Sequence, residues 1–136
     1  MSYGTTAALQ VAVYNALVAD SAVAALSGGA IHDALPPGPV PALYVSLGAE
    51  RARNRSDMTG AGALYDFPIT VFSDEAGFQS AKALAVAVSD GMLGSDLTLS
   101  RGRVVSLNFL RAVARRTATG RQIEVWFRAH VDEDTA

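Results

Sequence analysis

The chain has 136 residues, of which half are apolar and 18% are charged, and its formal net charge is −2. This size and composition predict one globular domain with a substantial core and exclude a disordered chain. The small net charge excludes a strong overall attraction to DNA or to an acidic membrane, and the lack of cysteine excludes disulfides and thiolate metal sites.

The N-terminal 49 residues contain no lysine or arginine and include the mainly apolar run AALQVAVYNALVADSAVAAL. The spacing of apolar residues predicts a helix from Thr5 or Thr6 to about Ala19, followed by a second short helix that Gly28 and Gly29 end. We do not expect a signal peptide or a membrane segment here. A signal peptide needs a basic N-terminal region, and polar residues interrupt the apolar run.

Four strands are predicted in the rest of the chain, from the runs ALYVSLG, LYDFPITVFS, RVVSLNFLRAVA and RQIEVWFRAHV. Pro68 lies inside the second run and cannot donate a ladder hydrogen bond, so we expect that strand at a sheet edge or with a bulge. The alternation predicts these buried residues: Leu43, Val45 and Leu47; Tyr65, Phe67, Ile69 and Val71; Val105, Leu107 and Phe109; Ile123, Val125, Phe127 and Ala129.

A second long helix is predicted from about Gly77 to Leu93, with Ser73 or Asp74 as its cap. Its apolar stripe consists of Ala81, Leu84, Ala85, Val88 and Met92. The order helix, strand, strand, helix, strand, strand predicts an α+β fold. We expect a mainly antiparallel sheet of about four strands with two main helices packed on one face.

The segment ERARNRSDMTGAG is predicted to be a long inter-strand loop, from about residue 49 to 63. It has almost nothing to bury, so its own subunit offers little to offset the entropy of ordering it, and we expect a mobile loop. Its candidate docking or channel residues are Arg51, Arg53, Arg55, Asp57 and Met58. The acidic C-terminus, about residues 132–136, is expected to be frayed.

Catalytic patterns are scarce in the sequence. His32 and His130 are not accompanied by a ligand set with metal spacing, and no serine lies in a nucleophile elbow. The glycines of TGAGAL do not connect a strand to a helix, as a nucleotide fingerprint requires. The arginine groups lack the interleaved aromatic residues of a single-strand platform. We therefore predict no catalytic, cofactor or metal site.

The last strand has a mixed polar and aromatic face opposite its apolar one. This face contains Gln122, Glu124, Trp126, Arg128 and His130. Trp and Arg are enriched in interface hot spots, so we take Trp126, Arg128 and Glu124 as candidates for a subunit interface. Leu64 and Phe72 of the second strand add apolar area on what we expect to be the same face. The alternative is that a helix of the same subunit covers Trp126.

Several segments together resemble a known family. PALYVSLG, then a polar loop, then FPITVFSDEAGFQSAKALA, LTLSRGRVVSLNFLRA and TGRQIEVWFRAHV are similar in order and spacing to the small tail-completion or tail-terminator proteins of long-tailed phages and gene transfer agents. The likeness covers most of the chain. It implies a tail-terminator-like domain spanning residues 1–136, with an antiparallel sheet flanked by two helices.

The resemblance also implies a function. It implies a structural, non-enzymatic virion protein. This protein would assemble as a homo-oligomer, a hexameric ring at the end of the tail tube. The ring would bind the tail-tube protein and join the tube to the head–tail connector protein. Assembly would take place in the bacterial cytoplasm, and DNA would pass through the ring without sequence-specific binding. No cofactor and no membrane are implied. The alternatives are another connector or head-completion protein, or a small ligand-binding or enzymatic α+β domain.

Overall fold

The computed structural model of the protein describes residues 4–32, 41–54 and 62–132, with Arg53 and Asn54 as backbone only. In chain order, the elements are α1 (Thr6–Ala19), α2 (Ser21–Ser27), β1 (Ile31–His32), β2 (Leu43–Leu47), β3 (Arg51–Asn54), β4 (Gly62–Ser73), α3 (Gln79–Leu93), β5 (Arg103–Thr117) and β6 (Gly120–Asp132).

The strands form one sheet in the order β1-β2-β4-β6-β5, and β3 pairs with β4 outside this path. The β1–β2 pair is parallel and the other pairs are antiparallel. A two-residue turn connects β5 to β6, as the segment RRTATG predicts. The α+β class and the mainly antiparallel sheet are confirmed.

One face of the sheet is buried under the helices. The inward residues of β4 and β6 form a single core with the inner faces of α1, α2 and α3. The predicted apolar residues of these two strands and of α3 are all buried: Tyr65, Phe67, Ile69, Val71, Ile123, Val125, Phe127, Ala129, Ala81, Leu84, Ala85, Val88 and Met92. Strict alternation in two long neighbouring strands therefore defines the core face.

The expected numbers of strands and helices are too small for the described residues, which contain six strands and three helices. The two additional strands, β1 and β3, are two and four residues long. Neither has an apolar period of its own, and each extends the sheet by backbone pairing to a longer strand. The third helix is α2, which the sequence predicts as a short helix beside the two main ones.

The bounds of the predicted loop and of the frayed tail were too wide. Arg51–Asn54 is strand β3, paired with Ala63–Asp66 of β4, so both ends of the segment 49–63 include paired residues. Asp132 is the last residue of β6 and lies 3.6 Å from Arg103 in an ion pair. The remaining parts of the two predictions, residues 55–61 and 133–136, lie outside the described residues.

Pro68 does not mark an edge strand or a bulge, which corrects the sequence prediction. β4 lies inside the sheet, and its register with β6 runs without a shift from Gly62 to Ser73. On the other side, β2 pairs with Ile69–Ser73 and β3 with Ala63–Asp66. Pro68 lies in the gap between these two partners, where its carbonyl accepts from the Gly48 amide at 3.0 Å. A missing N–H costs no ladder bond at this point.

The helix starts differ in part from the predicted caps. Thr5 is the N-cap of α1, but its hydroxyl is hydrogen-bonded to the Tyr65 hydroxyl at 2.7 Å and does not cap the helix. Asp20 caps α2 through its carboxylate, which accepts from two backbone amides at 3.0 Å each. α3 begins at Gln79 after Phe78, and not near Ser73, because the β4 ladder still includes Ser73.

The prediction that β5 buries Val105 and Phe109 was wrong, since these side chains are 45% and 49% exposed. β5 is the edge strand, and two register shifts against β6 interrupt its alternation, between Val104 and Ser106 and between Phe109 and Arg111. Leu107 is partly buried against the core. The apolar side chains of β5 are therefore only partly covered by their own subunit.

Among the described residues, no single helix has the length and apolar composition needed to cross a bilayer. α1 and α2 meet these criteria only when they are counted together, and a bend of 76° separates them.

The buried stripe of α3 provides a stability prediction. Leu84 is fully buried, so Leu84→Ala should lower the free energy of unfolding by about 2–5 kcal/mol through lost burial and a cavity. Val86 lies on the same helix and is 59% exposed, so Val86→Ala should change the free energy of unfolding by less than about 0.5 kcal/mol. Denaturant unfolding of both variants measures this difference. Equal midpoints would contradict the burial of Leu84.

Candidate protein interaction surfaces

The sheet face opposite the helices carries the predicted interface candidates; we call it the open face. Register places Leu64 beside His130, Asp66 beside Arg128, and Phe72 beside Gln122 across β4 and β6. The same alternation brings Trp126, Arg128, Glu124, Leu64 and Phe72 onto this one face, each with intermediate exposure. The structure therefore brings all five predicted candidates together on the open face, although it contains no partner that would test their role.

Trp126 lies at the centre of the open face between two neighbouring strands. It is in register with Pro68 of β4 and with Arg111 of β5. The Arg111 guanidinium carbon lies 4.8 Å from the centroid of the indole ring, which is a cation–π geometry. The indole Nε1 is buried without a hydrogen-bond partner among the described residues. Residues of adjacent strands, and not a helix, thus supply the neighbours that the structure gives to the indole.

Ion pairs between strands flank Trp126. Arg128 donates to both carboxylate oxygens of Asp66, at 2.7 and 2.9 Å, in a bidentate pair. This hydrogen bond raises the pKa of Arg128 above its usual range, although some burial acts in the opposite direction. Arg115 of β5 donates to Glu124 at 3.0 Å. Two of the interface candidates, Arg128 and Glu124, therefore already have partners in their own subunit.

An aromatic cluster occupies another part of the open face. The rings of Tyr44 and Phe72 stack with centroids 4.8 Å apart and an interplanar angle of 15°. The His32 ring lies 6.4 Å from that of Tyr44. Burial raises the pKa of Tyr44 above its usual value. The cluster gives the open face an apolar area next to its charged pairs, which is the mixed character of many protein interfaces.

The predicted docking-loop residues are only partly described. Register places Arg51 of β3 beside Asp66 and Arg53 beside Leu64, and the Arg51 side chain is exposed. Arg51 therefore belongs to a strand next to the open face and not to an irregular loop. Arg55, Asp57 and Met58 lie outside the described residues.

A groove runs along α1 on the helix side of the molecule. Two adjoining cavities of about 620 and 570 Å³ share Ala7, Gln10 and Leu47 as lining residues. Glu50, His32 and Tyr14 are the titratable residues in their walls. The described residues contain no group of three or more His, Asp or Glu side chains that could hold a metal ion. The groove is thus a mainly apolar surface.

Two exposed apolar surfaces were missed in the sequence. Val11, Tyr14 and Val18 lie on the outer face of α1, and Phe109 lies on the helix side of β5. The exposed surface of α1 could have been recognised from the sequence, because α1 has no charged residue on any face. The exposure of Phe109 could not have been recognised, since an apolar period in a strand does not show whether a helix covers it.

Comparisons with known protein families and solved structures found matches for this chain. Residues 11–132 match the tail completion protein gp17 family. The chain belongs to this family. It is also similar to a chain in a solved structure of the virion of a native gene transfer agent particle. The two are 56% identical, the match covers 96% of this chain and 99% of the other, and the TM-score is 0.91. No individually curated protein matches.

Membership of this family establishes the general function of the chain. The tail completion protein is a non-enzymatic structural protein with a role in a phage-like tail, and the resemblance found in the sequence is confirmed. Its function therefore depends on surfaces that bind other proteins, and the open face and the α1 groove are the candidates.

The contact between Arg111 and Trp126 can be tested by fluorescence, because the chain contains a single tryptophan. Arg111→Ala removes the cation over the ring, exposes one ring face to water and should shift the emission to longer wavelength. The free energy of unfolding should fall by about 0.5–1 kcal/mol. Arg116→Ala changes the same strand on its other face and should leave the emission unchanged. Equal spectra for the wild type and Arg111→Ala would show that the contact is absent in solution.

Proposed function

We propose that this tail completion protein is a tail terminator, which forms a ring at the end of the tail tube and joins the tube to the head–tail connector. The single observation that carries the proposal is the full-length match, at 56% identity, to a chain of a gene transfer agent virion. The proposed location is the head–tail junction of such a particle, with assembly in the bacterial cytoplasm.

The distribution of exposed surfaces supports a ring of identical copies, for which we propose six subunits. A cyclic ring uses heterologous contacts, in which one patch of a subunit meets a different patch of its neighbour. The protein has three distinct surfaces that are available for such contacts: the open face, the outer side of α1 and the edge strand β5. A ring component also needs upper and lower faces for its tube and connector partners, and separate surfaces meet that need.

The charge balance supports passage of DNA through such a ring. The net charge of the chain is −2, and two arginines of the open face are paired with carboxylates. Phosphate binding needs cations that are free to replace counterions, so paired arginines attract DNA weakly. A channel built from this protein would let DNA slide without sequence-specific binding.

The mass of the purified protein tests the ring directly. We expect a hexamer, either for the protein alone or after addition of tail-tube protein, and an image of particles with this protein labelled should place it at the boundary of tail and head. A label elsewhere on the tail would refute the junction, and a monomer under both conditions would refute the ring.

A further prediction concerns the role of Trp126 in assembly. Trp126→Ala should weaken the association of subunits by about 2 kcal/mol or more, because a central interface tryptophan carries a large share of the binding energy. Its monomer should stay folded, as circular dichroism would show. Val86→Ala, which truncates an exposed apolar side chain on α3, should assemble normally. An unfolded Trp126→Ala monomer would mean that the indole serves the core.

The connection between β3 and β4 is proposed to dock on the tube or connector protein. Arg51, which is exposed at its start, together with Arg53, Arg55, Asp57 and Met58, would supply the contacts. Removal of residues 56–61 should leave a folded protein that still forms rings. Tails should then remain separate from heads or grow to uncontrolled length, as electron microscopy would show. Normal particles from this variant would refute the docking role.

A further inference from the structure

Helix α1 exposes an apolar surface that its own subunit leaves uncovered. Its inner residues, among them Leu9, Val13 and Leu17, are buried. Its outer residues Val11, Tyr14 and Val18, which we call the α1 stripe, are 58%, 38% and 47% exposed. The spacing of three and four residues places them on one side of the helix. Exposed apolar side chains on a helix that contains no charged residue indicate a surface that a partner covers.

Strand β5 exposes a second apolar surface at the opposite end of the sheet. Register places Phe109, Ala112 and Ala114 on the helix side, beside the buried residues Phe127, Val125 and Ile123 of β6. These three β5 residues, which we call the β5 strip, are exposed, whereas their β6 neighbours are at most 4% exposed. The helix layer of the subunit therefore covers β6 along this stretch but leaves these three β5 residues exposed.

The charges of the two ends are complementary. β5 contains Arg103, Arg111, Arg115 and Arg116 and no acidic residue. The chain before Arg51, which includes α1 and β2, has no lysine or arginine, and it contains Asp20 and Glu50. Two β5 strands side by side would bring arginines against arginines, and among the described residues Arg111 and Arg116 form no ion pair that would reduce this repulsion. A pairing of β5 with β3 would bring them against Arg51 and Arg53. Charge repulsion therefore opposes both edge-to-edge contacts and leaves the α1 end as the favoured partner.

We infer that the α1 stripe of one subunit packs under the β5 strip of the next subunit in the ring. In this contact, α1 of the neighbour continues the helix layer at the point where the first subunit leaves β5 bare. Phe109 then lies against Val11 and Tyr14, next to the cavity of about 570 Å³ that these two residues line with Ile31 and Leu47. The contact joins opposite ends of the sheet, as a head-to-tail ring requires. It rests on the proposed ring and names the two surfaces that close it.

Disulfide cross-linking tests the contact cleanly, because the natural chain has no cysteine. Val11→Cys and Phe109→Cys are made as separate proteins, mixed and oxidised. A disulfide requires Cα atoms within about 7 Å, so the mixture should give a covalent dimer. Each variant alone should give little dimer, because the contact joins unlike surfaces. Gln79→Cys, at an exposed position on α3, replaces Val11→Cys as the control and should not cross-link to Phe109→Cys.

A charge exchange gives a second readout that does not depend on cross-linking. Val11→Lys and Phe109→Glu should each lower the association constant of the subunits at least about tenfold, because each buries an unpaired charge in the contact. The double variant places Lys against Glu at every contact of the ring and should recover most of the loss. A general loss of stability would not be recovered in this way.

Several outcomes would overturn the inference. Rings of normal mass and stability from Val11→Lys or Phe109→Glu would show that the ring closes elsewhere, with the proposed function intact. A dimer from Phe109→Cys alone, as strong as that from the mixture, would indicate contact between like surfaces. If Val11→Lys forms rings but loses the tail-tube protein, the α1 stripe binds the tube. A wild-type chain that stays monomeric with and without tail-tube protein would refute the ring itself.

Discussion

The structure depends on the pairing of β4 with β6. Twelve consecutive residue pairs, from Gly62–Asp132 to Ser73–Arg121, run without a register shift. Because side chains alternate along a strand, this unbroken ladder places Tyr65 and Phe127 on the helix side and Trp126 on the open face. A slip of one residue in either strand would exchange its two faces, and the helices would then lie on charged residues. The core and the candidate interface are thus two results of one register.

The same ladder explains why the open face is suited to binding proteins and not to chemistry. Its charges are largely used by pairs such as Arg128–Asp66 and Arg115–Glu124, and its aromatic rings stack on one another. A surface of this kind is preorganised, so a partner does not have to order long, free side chains on binding. A structural tail protein needs such rigid contact surfaces.

The elements predicted well from the sequence are those whose periodicity is long and whose environment is simple. β4, β6 and α3 each have an apolar period that matches one buried face, and their core residues are predicted correctly. Predictions based on a single residue were less reliable. Pro68 suggested an edge strand, but it lies where the partner of β4 changes from β2 to β3. Ser73 suggested a helix cap, but it is the last residue of β4 and pairs with Leu43 of β2. In both cases a distant segment decided the local role.

The sequence by itself determined the α+β class, the core faces of β4, β6 and α3, the alternation that places Trp126 opposite Phe127, and the resemblance to the tail completion family. These properties follow from local periodicity and from the order of segments. Only the tertiary structure decided that β3 joins the sheet, that Arg111 covers Trp126 and that Phe109 is exposed. Periodicity shows which side chains share a face, but the coverage of that face depends on where the helix layer ends and on which strand becomes the edge. Both are set by contacts between residues far apart in the chain.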